Sequence, residues 1–146
     1  MTAYIVLIPA IPLFSWLILA LFGHKLTRKV SGIIGAGSIG IVALLTLIIA
    51  IGFFKSLPQV KSYSVVVWEW INAGNLRADI SFSLDALLLV FCFVITFVGF
   101  LIHLYSIGFM AKDEGFTRFF AYMNLFVGSM LVLVLADNIL LLYLGW

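Results

Sequence analysis

The chain has 146 residues and a formal charge of +2; 65% of its residues are hydrophobic and only 10% are charged. A soluble domain averages about 45–50% apolar and about 25% charged residues, so this sequence cannot clothe itself in a polar surface, and its natural solvent is lipid. Its eight Lys/Arg are scattered, which excludes a nucleic-acid surface, since that requires clustered basic side chains. The single cysteine, Cys92, sits in an apolar run. It has no partner for an internal disulfide, and no Cys/His set has metal spacing. The N-terminus lacks the basic start and small-residue cleavage site of a secretory signal.

In chain order, residues 3–22 form the first apolar run. About 20 residues at 1.5 Å each span a hydrocarbon core of about 30 Å. Pro9 and Pro12 near its start either kink this helix or open it late. A short basic loop with Lys25, Arg28 and Lys29 leads to the second span, 30–54, long enough to tilt. Residues 55–83 are the one extended polar stretch. Val66, Trp68 and Trp70 alternate with Val65, Val67 and Glu69, and Leu76, Ala78, Ile80 and Phe82 alternate with Arg77, Asp79 and Ser81. With Asn72-Ala73-Gly74-Asn75 as a turn signal, this predicts a β-hairpin on the membrane surface, its tryptophans at the lipid–water boundary.

The third span is 84–105, capped by Ser83 or Asp85. A charged loop, 106–115, precedes the fourth span, 116–136. Asp137-Asn138 is a polar break that reads as a helix–helix turn and N-cap, and residues 139–146 begin a fifth helix. Eight residues reach about 12 Å, well short of a crossing, so the sequence reads as a piece of a longer protein or one product of a split gene. The expected fold is an all-α integral membrane protein: four complete spans, a partial fifth and an external hairpin. Lys25, Arg28, Lys29, Lys112 and Arg118 fall on the side of the first and third loops; Lys55, Lys61 and Arg77 fall on the hairpin side. The basic excess predicts the N-terminus and hairpin outside and those loops in the cytoplasm or matrix.

Gly35-Ala36-Gly37-Ser38-Ile39-Gly40 matches G-x-G-x-x-G, but a dinucleotide site needs a preceding strand and a βαβ unit. In a membrane helix, Gly32, Ala36 and Gly40 at four-residue spacing predict close helix packing instead. On the third helix Asp85, Cys92, Thr96, Gly99 and His103 share one stripe, which must face protein or water because lipid cannot satisfy it. The functional reading is a lining for a proton or ion path, with His103 as the titratable group. The plainer reading makes Asp85 a cap, His103 an interface residue, and Thr96 and Cys92 packed side chains; residue by residue it carries more weight. On the fourth helix Arg118, Tyr122 and Ser129 share a face. Asn124 points elsewhere, and its plain role is a helix–helix hydrogen bond. The candidate path or stripe residues are therefore Asp85, Thr96, His103, Tyr122 and Asn124. No catalytic dyad, triad or metal site is evident.

Several strings carry a resemblance: Phe100-Leu101-Ile102-His103-Leu104-Tyr105, Arg118-Phe119-Phe120-Ala121-Tyr122, Leu125-Phe126, Met130 through Asn138, and Tyr143-Leu144-Gly145-Trp146. They resemble the N-terminal region of the subunit L (chain 5) family of respiratory complex I, antiporter-like proteins related to the large subunit of multi-subunit cation/proton antiporters. The layout is similar over the whole chain, and the specific match covers about the last fifty residues. The resemblance implies a proton-translocating membrane subunit of NADH–quinone oxidoreductase, with NADH, FMN, iron–sulfur clusters and quinone handled by other subunits and no cofactor here. It implies neighbouring antiporter-like subunits as partners, clasped through the external hairpin. In that family Gly-Trp is followed at once by a protonatable glutamate, a position this sequence does not contain. The rival readings are the large subunit of a sodium/proton antiporter and a non-transporting scaffold.

Overall fold

A computed structural model describes residues 2–56, 62–73 and 76–146. Helix α1 (Thr2–Phe22) is followed by α2 (Arg28–Ser56), strands β1 (Ser62–Ala73) and β2 (Leu76–Asp85), α3 (Ala86–Phe109), α4 (Phe116–Leu135) and α5 (Ile139–Gly145). The first four helices are each long and apolar enough to cross a membrane, and the first, second and fourth follow the predicted spans closely. α1 runs unbroken through Pro9 and Pro12, so neither proline opens the helix. Each instead deprives the carbonyl four residues earlier, on Ile5 and Ile8, of its usual donor.

The third span departs from expectation at both ends. Leu84 belongs to β2, where it pairs with Tyr63, and α3 starts only after Asp85, whose Oδ1 accepts from Leu88 N at 2.8 Å. Of the two expected caps it is therefore Asp85 that caps. At the other end α3 continues to Phe109. Ser106 does not stop it, because its hydroxyl donates to the Ile102 carbonyl at 2.8 Å and so needs no water.

β1 and β2 pair antiparallel, as expected, but the register slips between Val66 and Trp68 and again between Glu69 and Ile71. Val67 and Trp70 are the extra residues. Such bulges bend and twist a strand, and they overturn the strict alternation read from β1: Val66, Val67, Trp68, Glu69 and Trp70 are all exposed. On β2 the serine Ser81 is buried beside Ala78 and Phe82. The hairpin is docked rather than merely resting on a surface. Phe82 and Leu84 join the core of Ile5, Ile49, Phe53 and Leu135, and the Tyr63 ring meets that of Phe53 edge-on at 5.9 Å. The turn residues Gly74 and Asn75, and Lys61, lie outside the described residues.

The core runs between α1, α2, α3 and α4, with a smaller cluster of Leu19, Phe116, Phe120 and Ala121 at the opposite end from the hairpin. Outward-facing apolar side chains such as Phe14, Ile48, Leu87, Phe97 and Phe126 are exposed. That inversion is what a lipid solvent requires, since a spanning helix must offer lipid an apolar face.

Candidate functional site

The polar groups of this fold converge on the seam where α3 meets α2 and α4. Cys92, Thr96, Gly99, His103 and Ser106 are all buried, while Phe93, Phe97, Leu101 and Leu104 on the other side of α3 are exposed. The stripe thus faces protein, and Ser106 extends it beyond the predicted set. Space at Gly99 is bounded by Ile39 of α2 and Val127 of α4. His103, 0% exposed, has its ring 5.8 Å from that of Phe120.

Along the stripe Thr96, His103 and Ser106 turn back on their own helix. Thr96 Oγ1 donates to the Cys92 carbonyl at 2.7 Å. Nδ1 of His103 lies 2.7 Å from the Gly99 carbonyl. A carbonyl can only accept, so Nδ1 carries the hydrogen in that bond and a neutral ring keeps its lone pair on Nε2. Nε2 has no hydrogen-bond partner among the described residues. Asp85 stands apart at the head of the helix as the cap.

Asn124 occupies the facing wall, also 0% exposed. Its Nδ2 donates to the Phe120 carbonyl at 2.9 Å and lies 3.4 Å from the Gly35 carbonyl. Its Oδ1 is 2.7 Å from Ser38 Oγ, which is also 2.8 Å from the Gly35 carbonyl, so one hydroxyl proton has two acceptors within reach. This is the helix–helix role expected of Asn124. Its partner Ser38 was hidden inside the glycine-rich run. Thr117 Oγ1 donates to Ser31 Oγ at 3.0 Å on the same seam, and Ser15 Oγ donates to the Ile34 carbonyl at 3.3 Å from α1. Ser31, Gly35 and Ser38 recur at four and three residues, one face of a helix, and that spacing was the available signal. In membranes such bonds average about 0.6 kcal/mol each, so they fix register more than they supply stability.

The glycines of α2 do permit close packing, but of rings rather than bare backbones. A Cβ at Gly35 would lie 2.6 Å from Phe120 Cδ1, one at Gly40 2.8 Å from Phe100 Cε2, and one at Gly32 3.3 Å from Phe116 Cζ. Phenylalanines of α3 and α4 are thus seated in sockets on α2, and Gly35 provides the tightest of the three.

Tyr122 is not part of this seam. It is 67% exposed and lines, with Trp16, His24, Glu114 and Arg118, a cleft between α1 and α4 of about 620 Å³. At the other end of α4 the break after Leu135 is built onto the hairpin. Phe82 and Ala136 form a β-bridge, Asp137 N donates to the Ser81 carbonyl at 3.1 Å, and Asn138 Nδ2 donates to the Asp79 carbonyl at 2.6 Å. Asn138 Oδ1 accepts from Leu141 N at 2.9 Å, the expected N-cap of α5. Among the described residues no group of His, Cys, Asp or Glu could hold a metal ion.

Four crossing-length helices around a seam of internally bonded polar groups, tied to a docked hairpin, define a multi-pass membrane protein of the helix-bundle type. The family described as NADH-Ubiquinone oxidoreductase (complex I), chain 5 N-terminus matches residues 70–120. NADH-quinone oxidoreductase subunit L of Escherichia coli (strain K12) is 46% identical over 136 residues, 93% of this chain and 22% of the relative. The subunit L of Pseudomonas aeruginosa is 42% identical over 92% of the chain and 22% of its own length. NADH-ubiquinone oxidoreductase chain 5 of Allomyces macrogynus is 37% identical over 93% of the chain and 21% of its own length. The chain belongs to this subunit L (chain 5) family of complex I, and it spans about a fifth of the length of these relatives.

Proposed function

We propose that the chain serves as the N-terminal membrane region of a proton-translocating subunit of NADH–quinone oxidoreductase. The observation that carries this reading is the 46% identity to a subunit L over 93% of the chain. The redox chemistry of NADH, FMN, iron–sulfur clusters and quinone belongs to other subunits, and this region supplies framework. The Ser38–Asn124 link and the ring sockets of α2 set the register of three helices, and the hairpin is the surface offered to neighbouring antiporter-like subunits. A chimera tests it: this chain replaces the aligned 22% of the Escherichia coli relative, and inverted membrane vesicles are given NADH. The expected result is quinone reduction accompanied by acidification of the vesicle lumen. A chimera that assembles and reduces quinone yet acidifies no more than vesicles lacking the subunit would overturn the proposal.

We further propose that the hairpin lies on the outer face, with the loops of residues 23–27 and 110–115 in the cytoplasm or matrix. The basic excess at that end of the bundle, Lys25, Arg28, Lys29, Lys112 and Arg118 against Lys55, Lys61 and Arg77 on the hairpin side, supports this. So does Arg28, whose Nη1 donates to the Ala111 carbonyl at 2.9 Å and so holds both loops at one end. With Cys92 buried, an impermeant thiol reagent should label Ser64→Cys in intact cells and Lys112→Cys only after permeabilisation. The opposite pattern would invert the topology.

A further inference from the structure

At the end of the bundle away from the hairpin, a groove of about 480 Å³ opens between α2 and α3. Its mouth carries Arg28 and Lys29, and its walls are Gly32, Ile33, Ile107 and Phe116. Among the described residues no acidic side chain lines it. Arg28 is not a loose surface cation: the bond from its Nη1 to the Ala111 carbonyl holds the guanidinium across the mouth, with its other N–H donors still available. Lys29 is exposed beside it, and Ile33, one turn further in, is 70% exposed to the surroundings of the bundle. At the floor the socket of Gly32 is closed by Phe116, whose ring would lie 3.3 Å from a Cβ there, so the groove is shallow and apolar.

Read from the end of the bundle inward, the chemistry runs from two cations to an apolar channel within about 6 Å, the rise of one helical turn. That order is the order of an anionic phospholipid, a phosphate followed by an acyl chain. Basic pockets between membrane helices recruit anionic head groups, and the volume falls within the range of ligand-sized pockets. The cleft between α1 and α4 is a poorer match, because Glu114 stands with Arg118 in its lining. We infer that the Arg28–Lys29 groove binds an anionic phospholipid, with the phosphate between the two cations and one acyl chain laid along Ile33, Ile107 and Phe116. The site is a lipid site of the chain itself and does not depend on proton transport.

Native mass spectrometry of the purified chain tests this. Detergent micelles are doped with phosphatidylglycerol, with phosphatidylcholine, or with inorganic phosphate alone. The wild-type chain should retain phosphatidylglycerol in preference to phosphatidylcholine and should retain no phosphate. Lys29→Gln should lower that preference about fivefold, and Arg28→Gln by a similar factor, the effect of about one charge at a membrane surface. Ile33→Trp fills the groove from an exposed position; it should reduce retention of phosphatidylglycerol while leaving both cations in place. Lys29→Gln and Ile33→Trp alter exposed side chains, so they inform even if Arg28→Gln fails to fold. Equal retention by wild type, Lys29→Gln and Ile33→Trp overturns the inference. Retention of free phosphate that Ile33→Trp does not change overturns it in favour of a simple anion site. A second copy of the chain in place of the lipid overturns it in favour of a protein contact.

Discussion

Replacing Gly145 with leucine should detach α5 from α4. A Cβ on Gly145 would sit 2.6 Å from Leu133 N, 2.8 Å from Leu133 Cα and 2.9 Å from Leu133 Cβ. Two of those three atoms are backbone, so no rotamer change relieves the clash. At Gly40 or Gly35 the obstacle is a phenylalanine side chain, which has some freedom to turn. Overpacking of a well-filled interior costs about 1–3 kcal/mol, and Gly145→Leu belongs at the upper end because a helix, not a side chain, must move. Gly37→Leu is the matched control, since nothing lies within 4 Å of its Cβ position. Reversible unfolding in mixed micelles should place Gly145→Leu about 3 kcal/mol below wild type and Gly37→Leu close to it. Equal midpoints for the two variants would show that α5 is not held by backbone contact.

Asn138→Ala should be the most damaging change of a single hydrogen-bonding side chain. This amide acts in two directions at once: Oδ1 caps α5 at Leu141 N, and Nδ2 reaches the Asp79 carbonyl on β2. An N-cap is worth about 1 kcal/mol, and an ordinary intramolecular hydrogen bond, here part-buried, about another 1 kcal/mol. Alanine should therefore lose about 2 kcal/mol. Asn138→Asp retains the acceptor that caps the helix but has no N–H for Asp79, so it should lose about half as much. Hydrogen exchange separates the two roles: the Leu141 amide should exchange faster in the alanine variant and stay protected in the aspartate variant. Identical exchange in both would mean that the cap is not what protects it.

Much of this architecture was legible because each spanning helix is a long apolar run and each break is polar or glycine-bearing. Legibility failed where local chemistry was ambiguous. Leu84 is as apolar as the helix it precedes, and only its pairing with Tyr63 makes it strand. Ser106 looked like a loop residue because the Ile102 carbonyl that satisfies its hydroxyl lies within the helix. The bulges at Val67 and Trp70 fall inside a Val/Trp run without glycine or proline, so nothing in the residue types marks the slip. At the candidate site the sequence identified the buried stripe of Thr96 and His103 and the interior Asn124. It grouped Tyr122 with them, although that side chain lies in the separate cleft between α1 and α4. The contribution of α2 was read correctly as packing, yet Ser38 as partner of Asn124 was masked by the glycines around it. Pairings between residues 86 apart leave no periodic trace in a single sequence.

The attachment of the α4–α5 break to β2 bears on how the chain is made. Asp79 and Asn138 are 59 residues apart, and between them the chain runs through α3 and back through α4. The carbonyls of Ser81 and Asp79 are synthesised first and must wait, hydrated, until two crossings bring the break back to their side. A nascent chain released before that return would carry a hairpin whose inner strand still lacks its last bonding partners. The order of synthesis therefore predicts that the hairpin pairs first and that the entry angle of the fifth helix is set against it later. Slowed insertion of α3 or α4 should then appear first as misdirected α5, not as loss of the hairpin.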